Sequence, residues 1–233
     1  MKKLYEESDI QAIADAIRTK NGESTTYKIS EMPTAIANIS AGGTPDIYAE
    51  ETHNDNGDIV EAKLHGFTKV RSYMFFGCTN LTLVYLPNNL TAVEKFAFNR
   101  CTNLILTSLP SNLISIGESA FYNCTNLALT SLPNSLVTIE SSAFYNCTNL
   151  AITVLPSNLT IIKGYAFGRC IHLSSISFQN KVHSIASNVF EGCTDLTTIN
   201  VPWAEGEVAN APWGATNATI NYNYVEPTTE ETT

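Results

Sequence analysis

The sequence predicts a β-rich solenoid of about six 23-residue coils, preceded by a short α-helical segment. Three observations carry that reading. The six cysteines, Cys78, Cys101, Cys124, Cys147, Cys170 and Cys193, stand 23 residues apart at every step. Apolar columns keep the same interval: Leu81, Leu104, Leu127, Leu150, Leu173 and Leu196 follow each Cys by three. The first 40 residues lack this beat and show a helical period instead.

In chain order, residues 1–40 read as a two-helix attachment or oligomerisation segment. Ser8 and Gln11 make a capping box, Ile10, Ile13, Ala14 and Ile17 share one face, and Asn21-Gly22 ends the helix. A second helix starts near Ser30, with Pro33 in its first turn and Ile36 and Ile39 on its apolar side. So short a pair falls under the ~40 residues below which a domain needs outside help to fold. Ile10, Ile13, Ile17, Ile36 and Ile39 are therefore the candidate oligomerisation or attachment residues. Residues 41–52, opening with AGGTPD, read as a linker.

Residues 53–203 hold the solenoid, including a capping coil that lacks the leading Cys. Eight after each Cys comes Leu86, Leu109, Leu132, Leu155, Phe178 or Val201, and next a proline in all but one coil, where Gln179 stands. Proline cannot donate to a sheet, so it marks where each coil leaves a strand. Ala97-Phe98, Ala120-Phe121, Ala143-Phe144 and Ala166-Phe167 add a column of small beside large residues that stacks without voids. An aliphatic falls five after the Cys in four coils (Leu83, Leu106, Leu129, Ile152) and six after it in the last two (Ile176, Ile199). The chain is expected to change course near residue 173. Asn80, Asn103, Asn126 and Asn149 are expected to cap their own turns. Residues 204–225, with Trp203 just before and Trp213 within, read as a C-terminal cap; 226–233 read as a flexible acidic tail.

The cysteines are expected to be free and buried, packing as small hydrophobes. A ladder spreads thiols along a line, whereas zinc needs four ligands at one point. Stacked equivalents also point the same way, which disfavours disulfides between coils.

The recurring unit C-T-N-L-x-L-T-x-L-P-x-x-L-x-x-I-x-x-x-A-F-x-x-C resembles the BspA-like, or Treponema-type, leucine-rich repeats over about residues 59–203. The resemblance implies a leucine-rich repeat array with short strands on its faces. It implies no single function, since members serve as adhesins, surface proteins and phage proteins. The close VPWAEGEVANAPWGATNATINYNY resembles the C-terminal cap of such arrays. IVEAKLHGFTKVRSYMFFGC, which keeps Val70 and Phe75, suits an N-terminal capping coil. A second resemblance lies in LYEESDIQAIADAIRTKNGESTTYKISEMPTAIANI, similar to the N-terminal segment of structural proteins of phages and prophages of Gram-positive gut bacteria. It implies a module that assembles with its own copies or attaches to a virion.

Charged residues are 15%, against about 25% in ordinary domains, so the surface is mostly neutral polar. The net charge of −9 sits at the ends, because residues 63–203 carry eight bases and five acids. No basic stripe is present, so nucleic acid is not an expected partner. No run approaches the ~20 apolar residues of a membrane span, and MKKLYEESDI lacks the apolar core of a signal peptide. Synthesis in a bacterial cytoplasm without ordinary secretion is the expectation.

His53, His65, His172 and His183 follow no metal spacing, and no serine has a nucleophile-elbow context. No catalytic, cofactor or metal residue is expected, and no enzyme. Tyr73, Phe76, Phe96, Tyr122, Tyr145 and Tyr165 form the candidate binding surface, since rings on a rigid neutral wall suit glycan or protein recognition. Stacking of these rings on one another, purely for stability, is the competing expectation. The expected role is a virion component of a phage or prophage (tail or baseplate appendage, tail fibre or receptor-binding protein). Its partners would be its own copies or other virion proteins, and a host-surface glycan or protein. The alternative is a BspA-like adhesin on a bacterial surface.

Overall fold

The computed structural model describes residues 47–225. The chain enters along β1 (Tyr48–His53), reverses, and returns antiparallel as β2 (Ile59–His65). Asn54 holds the reversal: its Oδ1 accepts from the Asn56 and Asp58 amides at 3.0 and 2.9 Å. Beyond β2 come β3 (Lys69–Val70), β4 (Leu83–Tyr85), β5 (Ala92–Val93), β6 (Ser115–Ile116), β7 (Thr138–Ile139) and β8 (Val154–Leu155). They are followed by β9 (Ile161–Ile162), β10 (Ser175–Phe178), β11 (Ser184–Ile185), β12 (Thr198–Asn200) and β13 (Thr219–Asn221).

Every pairing after the first hairpin is parallel, one coil to the next. The strands form a six-stranded sheet, β3-β5-β6-β7-β9-β11, and two shorter sheets, β1-β2-β4 and β8-β10-β12-β13. The result is a β-solenoid of about seven turns, one more than the cysteine count suggests because the capping coil completes a turn of its own. Among the described residues there is no helix. The two helices expected over 1–40, with Ile10, Ile13, Ile17, Ile36 and Ile39, lie outside the described residues, as does the tail 226–233. Residues 48–52, within the stretch read as linker, belong to β1.

Each column of the sequence becomes one layer of the core. Phe75, Phe98, Phe121, Phe144, Phe167 and Phe190 stack at 5.2–5.7 Å between centroids, tilted by no more than 12°. These spacings are close to the strand separation that the parallel ladders impose. None of the six cysteines is in a disulfide, and all but the half-buried Cys78 are buried. Their thiols also bond: Cys101, Cys124, Cys147, Cys170 and Cys193 donate Sγ–H to the carbonyls of Phe75, Phe98, Phe121, Phe144 and Phe167 at 2.9–3.2 Å. Each of those carbonyls already accepts the amide of the Cys in its own coil, at 3.1 or 3.2 Å. A thiol therefore fills the volume and supplies a weak second donor to a buried oxygen. Burial in turn pushes these thiols up, Cys193 to about 12.

The change of course near residue 173 is present, and a second one precedes it. In the Cys78 coil Val84 is buried and Leu83 is exposed, so the inward residue falls six after the Cys, as it does at Ile176 and Ile199. Only the Cys101, Cys124 and Cys147 coils turn the fifth residue inward (Leu106, Leu129, Ile152). Inward residues six and eight after the Cys alternate as a strand requires, which gives β4, β10 and β12. Inward residues at five and eight break that alternation. This face accordingly has no strand in the Cys101 and Cys124 coils and only β8 in the Cys147 coil.

The asparagine column does not cap its own turns. Asn103 Nδ2 reaches Thr79 O of the preceding coil at 2.9 Å, Asn126 reaches Asn103 Oδ1 at 3.3 Å, and Asn80 reaches Asp58 Oδ2 at 2.8 Å. One coil spacing lies within carboxamide reach, so the column ties coil to coil. At the C-terminal end Trp203 and Trp213 are buried and cross Phe178 at 5.3 and 5.6 Å, which seals the last coil. Trp213 stands 23 residues after Phe190, and its carbonyl accepts the Phe190 amide at 2.9 Å. The period thus runs one turn further than the leucines indicate.

Candidate functional site

The turns that precede each Cys carry the candidate surface. Alternate amides there donate to the next coil: Tyr73 to Lys95 O, Phe75 to Ala97 O and Gly77 to Asn99 O, at 3.2, 2.8 and 2.8 Å. The same three bonds recur from Phe96, Phe98 and Arg100, and from each later coil through Arg169. Aiming amides this way takes a left-handed backbone at the first and fifth positions. Tyr73, Phe96, Ser119, Ser142 and Tyr165 have φ of 51–62°, an uncommon conformation for a bulky residue. The inter-coil bonds fix it, and with it the direction of each ring.

Two columns three residues apart share the aromatics. The first runs Tyr73, Phe96, Ser119, Ser142, Tyr165; the second runs Phe76, Asn99, Tyr122, Tyr145, Gly168. All six predicted residues therefore lie on one face, in two clusters. Tyr73 stacks on Phe96 at 5.0 Å and 16° and meets Phe76 at 5.8 Å. Tyr122 stacks on Tyr145 at 5.0 Å and 7°, and Tyr145 meets Tyr165 edge-on at 6.2 Å. Gly168 allows that second contact, because a Cβ there would lie 2.8 Å from Cδ2 of Tyr145. The expected mutual stacking is thus real, and Tyr73, Phe76 and Tyr165 nonetheless remain 38–46% exposed. Phe96, Tyr122 and Tyr145 are half-buried.

Between the clusters lies a depression of about 260 Å³ lined by Phe76, Phe96, Asn99, Arg100, Ser119 and Tyr122. Asn99, Arg100 and Ser119 were not singled out from sequence. The available signal was the interruption itself, Asn99 standing between the rings of Phe76 and Tyr122 in its column and Ser119 following the rings of Tyr73 and Phe96 in its own. Asn99 is 5% exposed and donates Nδ2–H to Ser119 O at 3.3 Å.

Other polar groups are taken up structurally. Glu94 accepts from the amide and hydroxyl of Ser72, both at 3.0 Å, and Glu140 pairs with Lys163 at 2.7 Å. Among the described residues no group of three or more His, Cys, Asp or Glu could hold a metal ion. A second apolar area, Leu83, Tyr85 and Ile105, lies exposed where the first short sheet ends, with Lys63 over the Tyr85 ring at 5.6 Å.

Parallel two-residue strands, a phenylalanine spine and inward leucines at a 23-residue interval define a leucine-rich repeat solenoid. The chain belongs to the BspA type leucine-rich repeat family, whose model matches in six copies over residues 56–150 and 96–209. A leucine-rich repeat protein of T. pallidum is similar over 65% of this chain and 81% of its own, at 26% identity and a TM-score of 0.51. A leucine-rich repeat protein of Bacteroides ovatus shares the fold at 21% identity and a TM-score of 0.51, over 66% of this chain. This chain spans 45% of that protein's length. No curated protein matches the chain.

Proposed function

We propose that the chain is a non-enzymatic recognition protein that uses the aromatic face of its solenoid to hold a cell-surface glycan or protein. The observation that carries this is the row of six rings, three of them well exposed, on turns locked coil to coil by backbone bonds. Rings held in place lose little entropy on binding, and repetition along the rod multiplies weak contacts. The resemblance of residues 1–40 to phage structural proteins supports a virion setting, with those residues joining copies or docking on the particle. Family membership supports the second setting, an adhesin on a bacterial surface.

Retention of the labelled full chain on intact bacterial cells tests the reading. The chain itself carries Ser119 and Ser142 in the column of Tyr73 and Tyr165. The Tyr73→Ser, Tyr165→Ser double variant should therefore still fold and unfold cooperatively in urea while losing roughly tenfold in retention. Equal retention of variant and parent refutes the aromatic face. An antibody to the chain separates the settings: label on released phage particles supports the first, label on uninfected cells the second.

A further inference from the structure

The depression between the clusters opens in the second column, where Asn99 stands between the rings of Phe76 and Tyr122, and we propose that it is the subsite for a carboxylated sugar ring of a surface glycan. This rests on the reading of that face as a recognition surface and names what it takes. The row of rings changes column twice. At the second change Tyr145 meets Tyr165 at 6.2 Å and packs against Gly168, so the crossing is closed. At the first, from Phe96 to Tyr122, Asn99 stands between rings in its column and Ser119 follows the rings of its own, and the depression opens there. Ring stacks elsewhere repeat at 5.0 Å. With Asn99 in place of a ring, Phe76 and Tyr122 stand two coil steps apart, about 10 Å, which leaves room for one flat group between them and beside Phe96.

The polarity of the lining selects among flat groups. Its sides are aromatic, whereas Asn99 and Ser119, both over nine-tenths buried, bring an amide and a hydroxyl to the same space. A protein aromatic inserted there would set those polar groups against a hydrocarbon edge, at a desolvation cost. A pyranose presents C–H faces to the rings and hydroxyls to the amide. Arg100 supplies the charge preference. Lys63, Lys163 and Lys181 are each paired with a glutamate, whereas Arg100, among the described residues, has neither an ion pair nor a side-chain hydrogen bond. Its amide donates to Tyr122 O at 2.7 Å, which anchors its backbone beside the second cluster. A guanidinium so placed matches a carboxylate through paired hydrogen bonds.

The test is calorimetric titration of the full chain with short oligosaccharides of glucuronate, galacturonate and sialic acid, and with their methyl esters, which keep the ring and remove the charge. At least one acid form should bind, its ester roughly tenfold more weakly. Arg100→Gln should bring acid and ester to the same affinity. Asn99→Phe supplies the absent ring and should abolish sugar binding in a chain that still unfolds cooperatively in urea. Failure of every acid form to bind, equal binding of an ester, undiminished binding by Asn99→Phe, or preference for an aromatic peptide would each overturn the proposal. Cell retention that depends on Tyr73 and Tyr165 but not on Asn99 leaves the recognition reading standing and sinks this one. Sugar binding at the gap without cell retention does the reverse.

Discussion

Replacing Cys147 by alanine tests how the interior is held together. The residue has no exposed surface, lies between Cys124 and Cys170 in its column, and donates its thiol to Phe121 O at 3.0 Å. Deleting the sulfur removes about one methylene equivalent of buried apolar volume, worth ~1 kcal/mol. Losing the thiol bond adds about 0.5–1 kcal/mol. The second figure stays low because Phe121 O keeps the Cys124 amide at 3.1 Å and is not orphaned. The sum is about 2 kcal/mol. Equilibrium urea unfolding under reducing conditions reads it as a midpoint lower by ~1 M, for a slope near 2 kcal/mol per M. In parallel, the native parent should expose only Cys78 to a thiol reagent, because the other five are buried and held well above the ordinary thiol range. An unchanged midpoint, or fast labelling of several thiols in the folded chain, would refute the sulfur ladder as a structural element.

Gly117 occupies a column that holds Glu94, Glu140 and Lys163 elsewhere, yet a Cβ there would lie 2.6 Å from Lys95 N and 2.7 Å from Glu94 C. Backbone cannot step aside as a side chain can, so Gly117→Ala should cost about 1–3 kcal/mol in the same urea assay; no shift would remove the close approach. The Glu51 side chain on β1 is 6% exposed, with Oε2 at 3.5 Å from His53 Nε2, and burial pushes its carboxyl up from 4.5 to about 7. The folded chain thus binds that proton more tightly than the unfolded one. The contribution of Glu51 to stability is fullest below pH 4.5 and declines as pH rises through about 7. Glu51→Gln should therefore gain stability relative to the parent as pH rises from about 4.5 to about 7, and a difference independent of pH would show that the carboxyl titrates alike in the folded and unfolded chain.

The spine and the inward leucines were legible because each is a column of one residue type at one interval, and stacking forces equivalents into the same environment. The fate of the Cys78 coil was not. Leu83 and Val84 are adjacent aliphatics, either can face inward, and only pairing with β2 decides for Val84. Trp213 was seen as a lid but not as the next member of the phenylalanine column, since the leucines around it have gone. For the candidate surface, the rings were visible as residue types, but their division into two clusters depends on the left-handed turns. Those turns arise from hydrogen bonds between coils and leave no mark on composition. Asn99 and Ser119 escaped notice because the depression is made by what they lack.

The Cys101, Cys124 and Cys147 coils share one inward pattern and nearly the same wording, while the different patterns lie toward the two ends. An additional copy of residues 121–143 inserted after Ala143 would meet, above and below, the neighbours its original already has. The rod would grow by one step of about 4.8 Å and by one more tyrosine, with hairpin and tryptophan lid undisturbed. Near-identical coding segments are prone to unequal exchange during copying, so a lineage bearing this protein can alter its reach in whole increments. Length, in such a molecule, is a variable that changes without renegotiating the fold.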